Sequence, residues 1–288
     1  MKKLLSFLLL SVLVLALAAC GSDDEGTTET ADTNDTAATE GTTEPTKLVV
    51  GASYGLHDII LEQAKPLLAE QGIELVIEPY QDYIMPNQDL ESGELDANYF
   101  QHIPYLELEN AEKGYGFVNA GGIHIEPIGI YSQEYASLDE LPDGATIIIS
   151  NSVSDQGRIL SLLENLGLIK LADGIDKTAA ELKDIVENPK NLNIDASSAP
   201  EILVQYYKNG EGDAVVINSN FAIDAGINPI TDSIAIEGSE SPYVNVIATR
   251  AGEENNETIV KLIEVLHSKE IQDFIVEEWG GAVVPVSK

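Results

Sequence analysis

Short apolar runs alternate with longer stretches in which apolar residues recur every three or four positions, and this alternation sets the first expectations. Residues 47–53 (KLVVGAS) read as a strand. Over residues 57–70, Ile59, Ile60, Ala64, Leu67 and Leu68 share one helical face, and Gly72 stops the helix before a second strand at 73–77. Strand, helix, strand is the pattern of a parallel unit with a right-handed crossover. A short strand at 95–98 follows, then a helix opened by Pro104 and running to 113, and a strand at 116–119. Residues 123–131 form a strong strand in which His124, Glu126 and Ile128 alternate with apolar partners.

A second unit begins at Leu138. Residues 145–150 (ATIIIS) are a buried strand, 151–155 a polar turn and 156–166 an apolar-striped helix. A helix is expected at 177–185, a strand at 192–194, a helix at 200–209 and a strand at 214–217 (AVVI). A strand returns at 243–249, and two helices close the chain at 254–267 and 269–278. The pattern predicts an α/β protein of two lobes. Lobe 1 takes residues 47–131 and 241–288, and lobe 2 takes 132–240. Two crossings between lobes make a two-strand hinge. In open α/β sheets a ligand lies at the carboxyl ends of the strands, which here face the cleft between the lobes.

The first 46 residues follow other rules. After Met1-Lys2-Lys3 comes an apolar run over 4–19, broken only by Ser6 and Ser11. A basic start, an apolar stretch and small residues before a cut site describe a secretion signal at 1–19. The run is shorter than the roughly 20 residues of a membrane-spanning helix. Its end, Leu17-Ala18-Ala19-Cys20-Gly21, resembles the lipobox of bacterial lipoproteins, which implies that Cys20, the sole Cys of the chain, carries lipid. Residues 21–46 are rich in Thr, Asp and Glu and hold no aromatic residue and no Leu, Ile or Val. Such a segment cannot bury apolar surface, so 20–46 is expected to be a disordered, charge-extended tether.

Charge narrows the partners. Against 15 Lys and Arg stand 49 Asp and Glu, a net charge of −34. That balance repels phosphate backbones and anionic lipid, so a nucleic-acid partner is not expected and membrane contact requires the lipid at Cys20. One Cys excludes an internal disulfide and any Cys-based metal cluster. No phosphate-cradling glycine loop and no G-x-S-x-G elbow is present, and no cofactor is expected.

Three groups of residues stand out. Tyr83, Phe100, His102 and Tyr105 gather in YIMPNQDLESGELDANYFQHIPY, around a strand end and a helix start. They offer large rigid faces with polar tips, suited to a small apolar side chain and to a thioether sulfur, or to a core seam. Arg158, one of two arginines, follows a buried strand and a polar turn, near a helix start where the cleft is expected. A guanidinium can grip a carboxylate through two parallel hydrogen bonds, a geometry Lys cannot copy, although a surface ion pair is the simpler role. Asn218 follows AVVI, and Asn245 lies in YVNVIATR; each amide offers a donor and an acceptor. The histidines, His57, His102, His124 and His267, match no metal-ligand spacing, although three fall in the first lobe.

Taken together, these residues resemble the methionine-binding lipoproteins of ABC importers, the NlpA-type family. DYIMPNQDLESGELDANYFQHIPYLE, IHIEPIGIYS, GRILSLLENLGLIKL, DIVENPKNLNI, AVVINSNFA and ESPYVNVIATR carry the resemblance, which spans almost all of 47–288. It implies a two-lobed periplasmic-binding-protein fold, type II-like, without catalytic activity. It implies that Tyr83, Phe100, His102 and Tyr105 wall the ligand side chain, that Arg158 holds the α-carboxylate, and that Asn218 and Asn245 bind the polar end. The chain departs from the family at Ser150-Asn151-Ser152, where a Pro-Asn-Asp run is usual, and in its opening GASYGLHDIIL. Both departures touch the cleft rim. The resemblance implies a monomeric, lipid-anchored receptor on the outer side of the cell membrane, delivering methionine to a permease and its ATPase. A dipeptide or another small amino acid is an alternative ligand. A metal receptor using His57, His102 and His124, and a structural surface lipoprotein with an empty cleft, are rival functions.

Overall fold

Two sheets, each covered by helices, form the folded part of the chain in a computed structural model that describes residues 44–238 and 240–286. The expected signal at 1–19, Cys20 and the tether up to residue 43 lie outside the described residues. Strand β1 (Thr46–Ser53) leads through α1 (His57–Ala69) to β2 (Ile73–Tyr80), which pairs parallel to it. Helix α2 (Met85–Ser92) precedes β3 (Ala97–His102), also parallel to β1, and α3 (Ile103–Lys113) leads to β4 (Val118–Ile125). Then the chain changes sheets. Strand β5 (Gly129–Tyr131) belongs to the second sheet with β6 (Thr146–Ser150). Helix α4 (Val153–Asn165) follows, then a two-stranded ribbon of β7 (Lys170–Leu171) and β8 (Ile185–Glu187). The second sheet is completed by β9 (Asn193–Ser198), α5 (Leu203–Asn209), β10 (Ala214–Ile217), α6 (Ser219–Asp224) and β11 (Ala235–Ile236). The chain returns as β12 (Val244–Thr249), α7 (Glu257–Leu266), α8 (Lys269–Trp279) and β13 (Val284–Pro285). Strand orders are β13-β4-β12-β3-β1-β2 and β11-β5-β10-β6-β9.

The near-continuous apolar strands are explained by burial on both faces. In β1, Leu48, Val50 and Ala52 face α1, α7 and α8, while Val49 packs on the opposite side with Leu90, Leu106 and Phe117. In the second sheet Ile147, Ile149, Ala214 and Val216 enter one core, and Ile148, Val215 and Ile217 the other. A strand with period-two geometry and helices on both sides has no face left for polar residues.

Three expectations fail for local reasons. The strand expected at 123–131 is two strands in different sheets, broken at Glu126-Pro127-Ile128, where Pro127 has no N–H to give a ladder. The crossing therefore falls at 126–128, and the lobe boundary expected at 131 lies a few residues too late. The helix expected at 177–185 is instead two single turns and β8. Side chains there satisfy the backbone locally: Thr178 N donates to Asp176 (3.0 Å), and Glu181 N donates to Asp184 (2.8 Å). Helix α2 went unread because Leu90 is its single fully buried apolar side chain.

Helix α4 is positioned by a glycine. A Cβ at Gly157 would overlap the carbonyl of Thr178, so only hydrogen lets this helix lie against 177–180. Gly157→Ala should destabilise the fold by about 1–3 kcal/mol, despite Ala's better helix propensity, because backbone must move. Urea unfolding checks this, and an unchanged or raised midpoint contradicts it.

Candidate ligand-binding site

Between the two sheets, at the carboxyl ends of β3, β6 and β10, lies a cavity. All seven residues singled out in the sequence line it: Tyr83, Phe100, His102, Tyr105, Arg158, Asn218 and Asn245. Tertiary structure adds Gln101, Glu126, Ser152, Asp155, Ser219 and Asn220.

The aromatic wall is a locked unit. Tyr83 lies 6.0 Å from Phe100, 6.3 Å from Tyr105 and 5.0 Å from Phe221 of α6, measured between ring centroids. The Tyr105 hydroxyl donates to the Tyr83 carbonyl (2.9 Å), and the Tyr83 hydroxyl donates to Asn220 Oδ1 (2.6 Å). The last bond joins the first sheet's wall to the second sheet's helix. Burial, with Asp155 and Glu126 nearby, pushes the Tyr83 phenol well above its ordinary range, so it donates at any physiological pH. Beneath the wall, Gln101 Nε2 donates to Asn87 Oδ1 (2.8 Å) and Asn98 Oδ1 (2.9 Å), fixing α2 against β3.

His102 caps α3: its Nδ1 accepts from Tyr105 N (3.2 Å), which leaves the proton on Nε2, 4.0 Å from Asp155 Oδ1. Asn245 pairs with His102 across β12 and β3, and its side-chain amide makes no hydrogen bond among the described residues. Asn218 Nδ2 donates to Asp155 Oδ1 (3.2 Å). Asn218 Oδ1 and Asp155 Oδ2 are both buried without a partner among the described residues. Burial opposes the charge on Asp155. His102, Ser150 and Arg158 outweigh it, and the carboxyl titrates below its ordinary range.

Arg158 is buried, but its fork is not free. Nε donates to Glu237 Oε2 (3.0 Å), Nη2 donates to the same oxygen, and Nη2 also donates to the Glu126 carbonyl (2.6 Å). Its guanidinium carbon lies 4.7 Å over the Tyr243 ring. Burial pushes the Tyr243 phenol up to about 12. The expectation of two parallel bonds to a ligand carboxylate is therefore corrected: Glu237 occupies that edge, and Nη1 alone has no partner among the described residues. Helix α4 also starts three residues earlier than expected. Arg158 thus sits in its second turn, and Asp155 takes the first, where helix-end charge favours an acid.

The metal reading is corrected as well. His102 stands with Asp155, whereas His57 and His124 converge on Glu126: Oε1 lies 2.8 Å from His124 Nε2 and 3.1 Å from His57 Nε2. Burial disfavours the Glu126 charge, yet the two imidazoles outweigh it and hold the carboxyl well below the usual range. Burial also lowers His124, keeping its imidazole neutral. Glu126, Asp155, Asn220 and Glu237 were not singled out in the sequence. A signal existed for Glu126: His124 and Glu126 are polar residues two apart in an apolar strand, hence on one face.

Two α/β sheets joined by two crossings, with a polar and aromatic cavity between them, define the class of two-lobed substrate-binding proteins. The NlpA lipoprotein model matches residues 48–287, and the chain belongs to that family. It is 49% identical over its whole length to the methionine-binding lipoprotein MetQ of Bacillus subtilis, all of which is covered. A lipoprotein of the YaeC family from Enterococcus faecalis is 53% identical, with a TM-score of 0.81 over 84% of this chain and 100% of that one. A nutrient-binding protein from Burkholderia cenocepacia, solved bound to methionine, is 36% identical, with a TM-score of 0.79 over 83% of this chain and 100% of that one.

Because folding lowers the Glu126 carboxyl below the roughly 4.3 of a free glutamate, its charged interactions stabilise the fold above that pH and fade as pH falls further. Urea titrations from about pH 7 to about pH 3 should show a constant stability gap between wild type and Glu126→Gln down to about pH 4.3, shrinking below it. A gap that closes well above that pH contradicts the assignment.

Proposed function

We propose that the chain is a lipid-anchored receptor that captures methionine outside the membrane and passes it to an ABC permease, catalysing no reaction itself. Lipid on Cys20 and the span 20–46 supply the anchor and tether, and a lobe of residues 47 to about 126 with 241–288 closes on a lobe of about 129–240. No helix among the described residues is long and apolar enough to cross a membrane, which is compatible with attachment through lipid. The observation that carries the reading is the polarity of the cavity: a ring-lined slot at one end, and Arg158, Asp155 and Asn218 at the other.

The thioether lies among Tyr83, Phe100, His102 and Tyr105, where sulfur gains from ring edges. The carboxylate meets Arg158 Nη1 and the free amide of Asn245. The ammonium meets Asp155 Oδ2 and Asn218 Oδ1, two buried acceptors that otherwise lack donors. Such a ligand bridges the sheets, and contacts made only in the closed state drive closure. Gly55 supports a closed arrangement: at φ +86°, in the loop after β1, its position leaves a Cβ only 2.8 Å from Asp224 of α6. Micromolar affinity corresponds to about −8 kcal/mol.

Native mass spectrometry of the purified protein should find methionine co-purified, and a dipeptide or other small amino acid in its place would change the ligand. Arg158→Ala should weaken methionine binding by about 2–5 kcal/mol in calorimetry, the cost of removing one partner from a buried charged contact. Gly55→Ala should weaken it through closure, with the first-sheet cavity residues untouched. Unchanged affinity in Arg158→Ala overturns the reading.

A further inference from the structure

We propose that Glu126, held by His124 and the Asn220 backbone, is the specificity-determining residue that makes this cavity demand a free α-ammonium on its ligand. The inference rests on the amino-acid reading above and adds a residue to it. Glu126 is 6% exposed, lies on the first crossing between the sheets and lines the cavity.

Two hydrogen bonds hold its carboxylate, and a second imidazole lies beside it. His124 Nε2 donates to Oε1 (2.8 Å), His57 Nε2 lies 3.1 Å from the same oxygen, and Asn220 N donates to Oε2 (3.1 Å). A carboxylate presents about four lone-pair sites, so Oε2 keeps one. An ammonium has three donors. Asp155 Oδ2 and Asn218 Oδ1 answer two of them, and Glu126 Oε2 answers the third.

Proton placement separates this reading from a metal site. Donor atoms of His57, His124 and Glu126 lie within 4.8 Å of one another, a spacing that could hold an ion. The Tyr99 hydroxyl, however, has His124 Nδ1 as its partner (2.5 Å) and, buried, stays protonated. The phenol therefore donates to Nδ1, and the His124 proton sits on Nε2, facing Glu126. That nitrogen has no lone pair for a cation, and the chain Tyr99 to His124 to Glu126 is complete without one.

Hydrogen-bond accounting then calls for a donor from the ligand. Arg158 is matched by Glu237, so its cation does not serve Glu126. Glu126 lines the cavity with Asp155 and Asn218, whose Oδ2 and Oδ1 are buried without partners among the described residues, and an ammonium supplies the donors that these acceptors lack.

Calorimetry with methionine and with 4-(methylthio)butanoate, its amino-free analogue, tests the assignment on the full chain. Wild type should prefer methionine by about a hundredfold or more, since a site built around a donor rejects ligands lacking it. Glu126→Gln should cut that preference at least about tenfold, by weakening methionine and leaving the analogue unchanged or tighter. Tyr99→Phe, which keeps the carboxylate but removes the group that sets the His124 proton, should narrow the preference by a smaller factor, and it carries the test if Glu126→Gln does not fold. A wild-type preference retained in both variants overturns the proposal. Absence of methionine binding by wild type would overturn the amino-acid reading along with it.

Discussion

Arg158 holds the two crossings of the chain together, and the cavity depends on that contact. From α4 its guanidinium reaches the Glu126 carbonyl on the first crossing and the Glu237 carboxylate beside the second. Glu237 N donates to the Ile128 carbonyl (2.9 Å), and Ile128 N donates to Glu237 Oε2 (3.3 Å), so the crossings also bond to each other. With its neighbours satisfied, a buried ion pair of this kind fixes geometry more than it adds stability. Removing the cation would leave Glu237 charged and half enclosed. The same residue thus sets the hinge and turns its remaining nitrogen to the ligand.

Around that pin the cavity is divided by chemistry. The first sheet supplies a wall of rings locked by their own hydroxyls, and the second supplies unpartnered acceptors at the starts of α4 and α6. Tyr83 to Asn220 and Glu126 to Asn220 cross from one side to the other. A bound molecule that touches both sides therefore adds to bonds that already link them in this arrangement.

Much of the site was legible because strand ends and helix starts can be read from local pattern. The apolar strand AVVI places Asn218 at a carboxyl end without any knowledge of pairing, whereas the strand expected at 95–98 runs on to His102, so Phe100 and His102 lie within its last residues. The acids were harder. Asp155 is one among 49, and nothing in its neighbours along the chain separates a buried carboxylate from a solvated one, whereas for Glu126 the only local signal is its two-residue spacing from His124 in an apolar strand. The partner of Arg158 was hidden for the same reason, since Glu237 lies 79 positions away.

The sequence by itself determined an α/β protein of two units, its apolar strands and the aromatic and amide residues at their ends, because those follow from periodicity and turn chemistry within a dozen residues. Tertiary structure alone decided which strand joined which sheet, where Pro127 forced the crossing, and which acids lost their water. Sheet membership and burial depend on contacts between segments far apart in the chain, and a carboxylate's charge, partners and proton are set by what surrounds it in space.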